Sequence, residues 1–177
     1  MWIELAEIRE TGKPLHLRRE LTGPDLDLDP SECTLSQPAV VEATVRLLDD
    51  IARIKGRVEG RLNLPCCRCL EPVPLEVDKS FQVEYCPDPE LAEEGEEFEL
   101  EYEDLETGFY RGDKIDLAGL VNEQLLLEVP MKPICRPDCK GLCPQCGANW
   151  NEESCECSQE SLDPRLAVLA KLKERMK

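Results

Sequence analysis

The chain has a single histidine, His16, and only eight aromatic residues among 177: two Trp, three Tyr and three Phe. His16 sits in the alternating run Pro14-Leu15-His16-Leu17-Arg18, with no Ser, Cys or Asp constellation around it, and reads as a strand residue. No Ser-His-Asp arrangement, phosphate-cradling glycine loop or H-E-x-x-H stretch occurs, so the familiar routes to hydrolase, kinase and zincin chemistry have no residues to run on. Apolar runs long enough to span a bilayer are also missing. The start, Met-Trp-Ile-Glu-Leu-Ala-Glu, lacks the basic, apolar and small-residue parts of a secretion signal. The expectation is a soluble cytoplasmic protein in a reducing compartment, without a membrane partner. Basic residues are absent from a whole stretch as well: none occurs between Lys79 and Arg111, where twelve acids run from Glu84 to Glu106. The net charge of −17 is therefore concentrated there. General nucleic-acid affinity comes from neutralised phosphates, so this balance favours basic protein partners over nucleic acid.

Cysteine is what the chain has in abundance. Six of its eleven cysteines fall within the 23 residues 135–157, as Cys135-x3-Cys139-x3-Cys143-x2-Cys146-x8-Cys155-x1-Cys157. An odd total precludes complete pairing as disulfides within one chain, and a reducing compartment favours metal ligation of close-spaced thiols. Cys143-Pro-Gln-Cys146-Gly147 has the form of a zinc knuckle: two sulfurs aimed at one ion, followed by a glycine that tolerates positive φ. Cys155 and Cys157 are the expected second pair, with Zn–S distances near 2.3 Å. Cys135 and Cys139 are the alternative pair, and six thiolates could hold a second ion. The spacing Cys139-x3-Cys143-x2-Cys146 also matches the iron–sulfur spacing of radical SAM enzymes, although those motifs open a large α/β barrel. Trp150 is expected to pack over the metal core. A second C-x2-C, Cys66-Cys67-Arg68-Cys69, lies between two strand-like runs. It reads as a structural turn or an incomplete metal site, with completion by the C-terminal cysteines, a dimeric site and a reactive dithiol as the other options.

Period-two alternation marks strands over 39–85, most strictly from Val73 to Tyr85. Asp49-Asp50 suits a tight turn, and Gly56 and Gly60 suggest bends or bulges. The runs 2–8 and 14–21 are further strand candidates. Phe98, Leu100 and Tyr102 alternate with Glu97, Glu99, Glu101 and Glu103, which predicts a strand with a wholly acidic outer face for a cationic partner. Arg53, Lys55, Arg57 and Arg61 share the opposite sign and one parity over about 26 Å. They are candidate RNA contacts, or a solvated face paired with Glu76, Asp78 and their neighbours. Asp116 caps a predicted helix over 117–129 stopped by Pro130, and Asp163-Pro164 starts another. The fold class is α+β. An antiparallel β-rich domain, 1–106, with its acidic segment 84–106, precedes a region 107–177 holding a helix, a zinc-ribbon-like module (135–157) and a C-terminal helix.

Several of these pieces resemble the bacterial YceD family: Cys66-Cys67-Arg68-Cys69-Leu70-Glu71, the string Cys139 to Asn149, Asn151, Cys155-Glu156-Cys157 and Asp163-Pro164-Arg165-Leu166. The resemblance covers most of the chain and implies a cytoplasmic factor of ribosome biogenesis, linked to accumulation of large-subunit ribosomal RNA. In that setting an acidic chain is expected to hold a basic ribosomal or assembly protein, without catalytic turnover. A zinc ribbon contacting rRNA directly, through Arg136, Lys140 and the basic C-terminal helix together with the basic stripe, is the alternative.

Overall fold

The computed structural model describes residues 1–88 and 107–157. Their elements are β1 (Trp2–Glu4), α1 (Ala6–Thr11), β2 (Leu15–Leu21), β3 (Thr34–Leu48), β4 (Ile51–Pro65), β5 (Pro72–Pro87), β6 (Thr107–Tyr110), β7 (Lys114–Asp116) and α2 (Leu117–Leu127). By packing the chain divides into two units. One is Met1–Cys67 with Glu71–Cys135; the other is Arg68–Leu70 with the chain from Arg136 onward. The helix expected after residue 107 therefore belongs to the unit that holds the sheet.

The first unit is built on three long strands. Inward residues Val41, Ala43 and Val45 of β3 and Ala52, Ile54, Val58, Leu62 and Leu64 of β4 are buried, while Glu42, Arg46, Arg53, Lys55 and Arg57 between them face water. This is the alternation of a sheet with one covered face. The order is β2-β3-β4-β5-β6, and β1 pairs β7 in a separate two-stranded ribbon. Asp49 and Asp50, at φ 49° and 66°, close β3 onto β4. Positive φ at both positions matches the twist of a tight hairpin, and aspartate tolerates it better than most residues.

Four expectations need correction. The edge pair β5–β6 is parallel, not antiparallel. The return falls after residues 89–106, and a parallel return needs a connection of that length. The run 2–8 is a strand only to Glu4. Ile3, Leu5 and Ile8 are all buried, and so short an apolar pattern fits strand and helix alike. Gly12, at φ 64°, ends α1 by donating to Ile8. Nor does Gly56 mark a bulge, since β4 pairs with β5 without a break from Ala52↔Tyr85 to Pro65↔Pro72. A Cβ on Gly56 would lie 2.6 Å from Phe81 Cζ and 2.8 Å from the Glu42 carbonyl oxygen, so the glycine makes room for a cross-strand ring. The register shifts lie on β3, between Leu35 and Gln37 and between Gln37 and Val40. Finally, α2 ends at Leu127 rather than running to 129. The helix is capped as expected, with Asp116 Oδ1 accepting from the Ala118 N–H at 3.1 Å. Leu117, Leu120, Val121, Gln124 and Leu125 are buried, while Glu128 instead pairs with Lys79 at 2.7 Å. Leu125 reaches the sheet over Gly60, where an added Cβ would be 3.4 Å from its Cδ2.

No helix among the described residues is long and apolar enough to cross a membrane. The expected acidic strand, with Glu97, Glu99, Glu101 and Glu103, and the helix expected after Asp163 lie outside the described residues.

Candidate metal centre

Eight thiols gather into two sets of four. Cys143, Cys146, Cys155 and Cys157 form one set; Cys66, Cys69, Cys135 and Cys139 form the other. Within each set the sulfurs all lie within 4.8 Å of one another. Four sulfurs around zinc at 2.3 Å would stand about 3.8 Å apart at the corners of a tetrahedron, so each set needs little contraction to close on an ion. The donor chemistry also fits: four soft thiolates without an oxygen ligand suit zinc or iron–sulfur centres, not magnesium or calcium. Two four-cysteine groups consistent with metal binding are thus present.

The knuckle of the first set is shaped by the backbone. The Cys143 N–H donates to the Ala148 carbonyl at 2.8 Å, and the Gly147 N–H to the Cys143 carbonyl at 2.9 Å. Gly147 stands at φ 77°, the left-handed geometry expected of the residue after the motif. The N–H groups of Cys146 and Gln145 point at the Cys143 sulfur and hold its thiol down at about 6. Cys157 is pushed up to about 12, first by its hydrogen bond to Cys146 and then by burial. The Ala148 N–H favours the Cys146 thiolate, but the hydrogen bond shared with Cys143, with burial and the bond shared with Cys155, leaves that thiol raised. One thiolate therefore forms easily, and its presence makes the next ones costly. A divalent cation at the centre removes that conflict. Trp150 touches this set: its indole N–H donates to Cys155 Sγ at 3.3 Å.

Cys66-Cys67-Arg68-Cys69 forms the turn from β4 to β5, and it repeats the first knuckle. The Cys66 N–H donates to the Glu71 carbonyl at 2.9 Å, the same five-residue span as Cys143 to Ala148. Leu70, the residue after the motif, is left-handed at φ 63°. The Cys135 N–H donates to Cys66 Sγ at 3.4 Å. Of the options open for this dithiol, completion by C-terminal cysteines is the one the structure displays. Cys135 and Cys139 accordingly leave Cys143 and Cys146 to the pair Cys155 and Cys157. Cys139, Cys143 and Cys146 also fall in different sets, so the iron–sulfur spacing does not make one three-thiol site.

Three supporting residues carried no metal signal of their own, although all sit inside the motifs. Asn151 donates its side-chain amide to Cys139 Sγ at 3.4 Å and accepts from the Lys140 N–H at 2.9 Å. Asn149 Oδ1 fixes Asn151 through bonds of 2.8 and 3.1 Å. Arg68 donates to the Cys139 carbonyl at 2.8 Å, while its own carbonyl accepts from the Leu142 N–H at 3.0 Å. Such outer partners orient metal ligands.

The basic stripe lies elsewhere, on the outer sheet face, and most of it is neutralised. Arg53 pairs with Glu84 at 2.8 Å, Arg57 with Asp78 at 2.5 Å, and Arg61 with Glu76 at 2.9 Å. His16 Nδ1 stands 2.9 Å from Thr44 Oγ1.

Comparison with known proteins gives the family context. No solved structure matches the chain. An uncharacterised protein of Mycobacterium tuberculosis is 32% identical over 141 residues, covering 78% of this chain and 64% of the relative. The chain thus spans less than two thirds of that relative. The uncharacterised protein YlbN of Bacillus subtilis is 30% identical over 155 residues, 78% of this chain and 83% of its own length. A Zea mays protein described as "large ribosomal RNA subunit accumulation protein YCED homolog 1, chloroplastic" is 28% identical over 158 residues, 76% of this chain and 54% of the relative. The family model described as "large ribosomal RNA subunit accumulation protein YceD" matches residues 54–173, a span that takes in most of β4, both cysteine knuckles and α2. The chain belongs to the YceD family.

Proposed function

We propose that the protein is a non-enzymatic ribosome-biogenesis factor that supports accumulation of large-subunit ribosomal RNA, with zinc in its cysteine groups. Family membership supports the process. Zinc is favoured over iron because four-thiolate sites with every position filled by protein are the pattern of structural zinc. In this reading Cys143, Cys146, Cys155 and Cys157 hold one ion and Cys66, Cys69, Cys135 and Cys139 a second. The metal supplies folding free energy and leaves no open position for a substrate. The protein acts in a reducing compartment, the cytoplasm, where thiolates persist.

The observation that carries the mode of action is the run of twelve acids with no base between Lys79 and Arg111. Its partner is a basic ribosomal or ribosome-assembly protein, drawn in by long-range attraction. Replacing Glu97, Glu99, Glu101 and Glu103 by Gln tests this. The variant should associate more slowly with a basic client captured from cells, and the association should lose part of its salt dependence, because steering is screened over about 10 Å at 0.1 M salt. An unchanged association rate at low salt would reduce the acidic run to a solvating role.

A further inference from the structure

On the outer face of the five-stranded sheet a concavity of 350 Å³ is lined by His16, Thr44, Arg46, Leu48, Arg53 and Lys55. It contains three permanent cations and no carboxylate, in a chain whose net charge is −17. Three strands build it. His16 of β2 is the register partner of Thr44 of β3, Thr44 also faces Lys55 of β4, and Arg46 faces Arg53. Two arginines directly opposite one another on adjacent strands repel, which is an unfavourable arrangement unless an anion lies against them. Elsewhere on this face the cations are compensated: Arg18 by Glu42 at 3.1 Å, Arg57 by Asp78 and Glu59, and Arg61 by Glu76. Inside the concavity only Arg53 has an acidic partner, Glu84. Arg46 and Lys55 form no ion pair among the described residues.

We propose that this concavity is a phosphate-binding surface for the backbone of a single-stranded nucleic acid, with Arg46, Arg53 and Lys55 as its cationic contacts. Its form decides between sources of phosphate. A pocket for a free phosphate or nucleotide usually encloses the ligand and offers backbone N–H groups. Here the backbone N–H groups are spent in the β ladder and the site is an open hollow. Its cations are spread over two strands, about 5 Å apart across the pair and about 7 Å apart along β4. That spread suits successive phosphates of an extended chain. The arginine forks can grip phosphate oxygens in pairs, Thr44 adds a hydroxyl, and the exposed Leu48 at the rim offers an apolar edge for a sugar or base. The candidate stripe thus changes membership: Arg57 and Arg61, which do not line the concavity, leave it; Arg46 joins, and Arg53 stays as a lining residue that shares its charge with Glu84. The surface does not depend on a basic protein client, so the two readings stand or fall separately.

The test compares the full-length protein with Arg46→Gln/Lys55→Gln, using fluorescence anisotropy of a labelled single-stranded RNA 20-mer between 50 and 200 mM KCl. Each lost phosphate contact on a single strand flattens the log–log salt slope by about 0.7. The double variant should therefore lose about 1.4 of slope, and the affinity ratio of wild type to variant should shrink about sevenfold across that range. Arg57→Gln, already neutralised, should change the slope by less than half as much. The wild type and both variants should keep the same folded circular-dichroism spectrum; if the double variant does not, Lys55→Gln alone should show half the slope change. A wild-type slope in the Arg46→Gln/Lys55→Gln variant, or no RNA binding by the wild type at 50 mM, would overturn the proposal. So would inorganic phosphate or ATP displacing the RNA as effectively as unlabelled RNA does at equal phosphate concentration, since the site would then take free phosphate.

Discussion

Leu70 occupies the same left-handed place after Cys69 that Gly147 occupies after Cys146, at φ 63° against 77°. A leucine there costs roughly 1–2 kcal/mol, whereas a glycine costs about 0.4–1 kcal/mol through the extra freedom of the unfolded chain. Leu70 is also 65% exposed, so little packing is lost on replacing it. Leu70→Gly should therefore leave stability unchanged or raise it by up to about 1.6 kcal/mol, read from urea unfolding of the metal-loaded protein. A clear loss would show that the side chain has a role the turn geometry does not reveal. Gly147 could be read from sequence because a knuckle motif names its glycine. Leu70 could not, because nothing about a leucine announces positive φ. Gly56 shows the same limit: its role depends on Phe81, far along the chain, and only the register of β4 on β5 brings them together.

At the scale of elements, the long strands were legible because one covered face forces an alternation visible in the residues themselves. The same holds for α2, whose cap and apolar stripe are local signals. The parallel edge strand β6 was not legible, because four residues carry too little pattern. The partner of Cys66 and Cys69 was hidden for a different reason. A metal site joins residues through space, and its second half lies at Cys135 and Cys139, far along the chain. The knuckle 143–146 and its partners have no large apolar core around them, whereas the sheet has its own buried face. Cys143→Ser should thus loosen the segment around residues 139–157 and leave β3, β4 and β5 folded, since metal supplies folding free energy to the part that closes around it. Amide hydrogen exchange would show fast exchange confined to that segment. Loss of protection throughout β3 and β4 would show that the sheet depends on this metal group.

For the whole molecule, charge and cysteine divide the work. In the proposed account the acidic run between Lys79 and Arg111 attracts basic partners, the concavity at Arg46, Arg53 and Lys55 takes phosphate, and the two four-cysteine groups form a scaffold held by metal. That last assignment is the base of the account, and metal content tests it most directly. The full chain, purified under reducing conditions without added metal, should carry two zinc ions by elemental analysis. Cys143→Ser and Cys66→Ser should each retain one. Stoichiometric iron, or zinc absent from protein that nevertheless keeps residues 135–157 ordered, would contradict it.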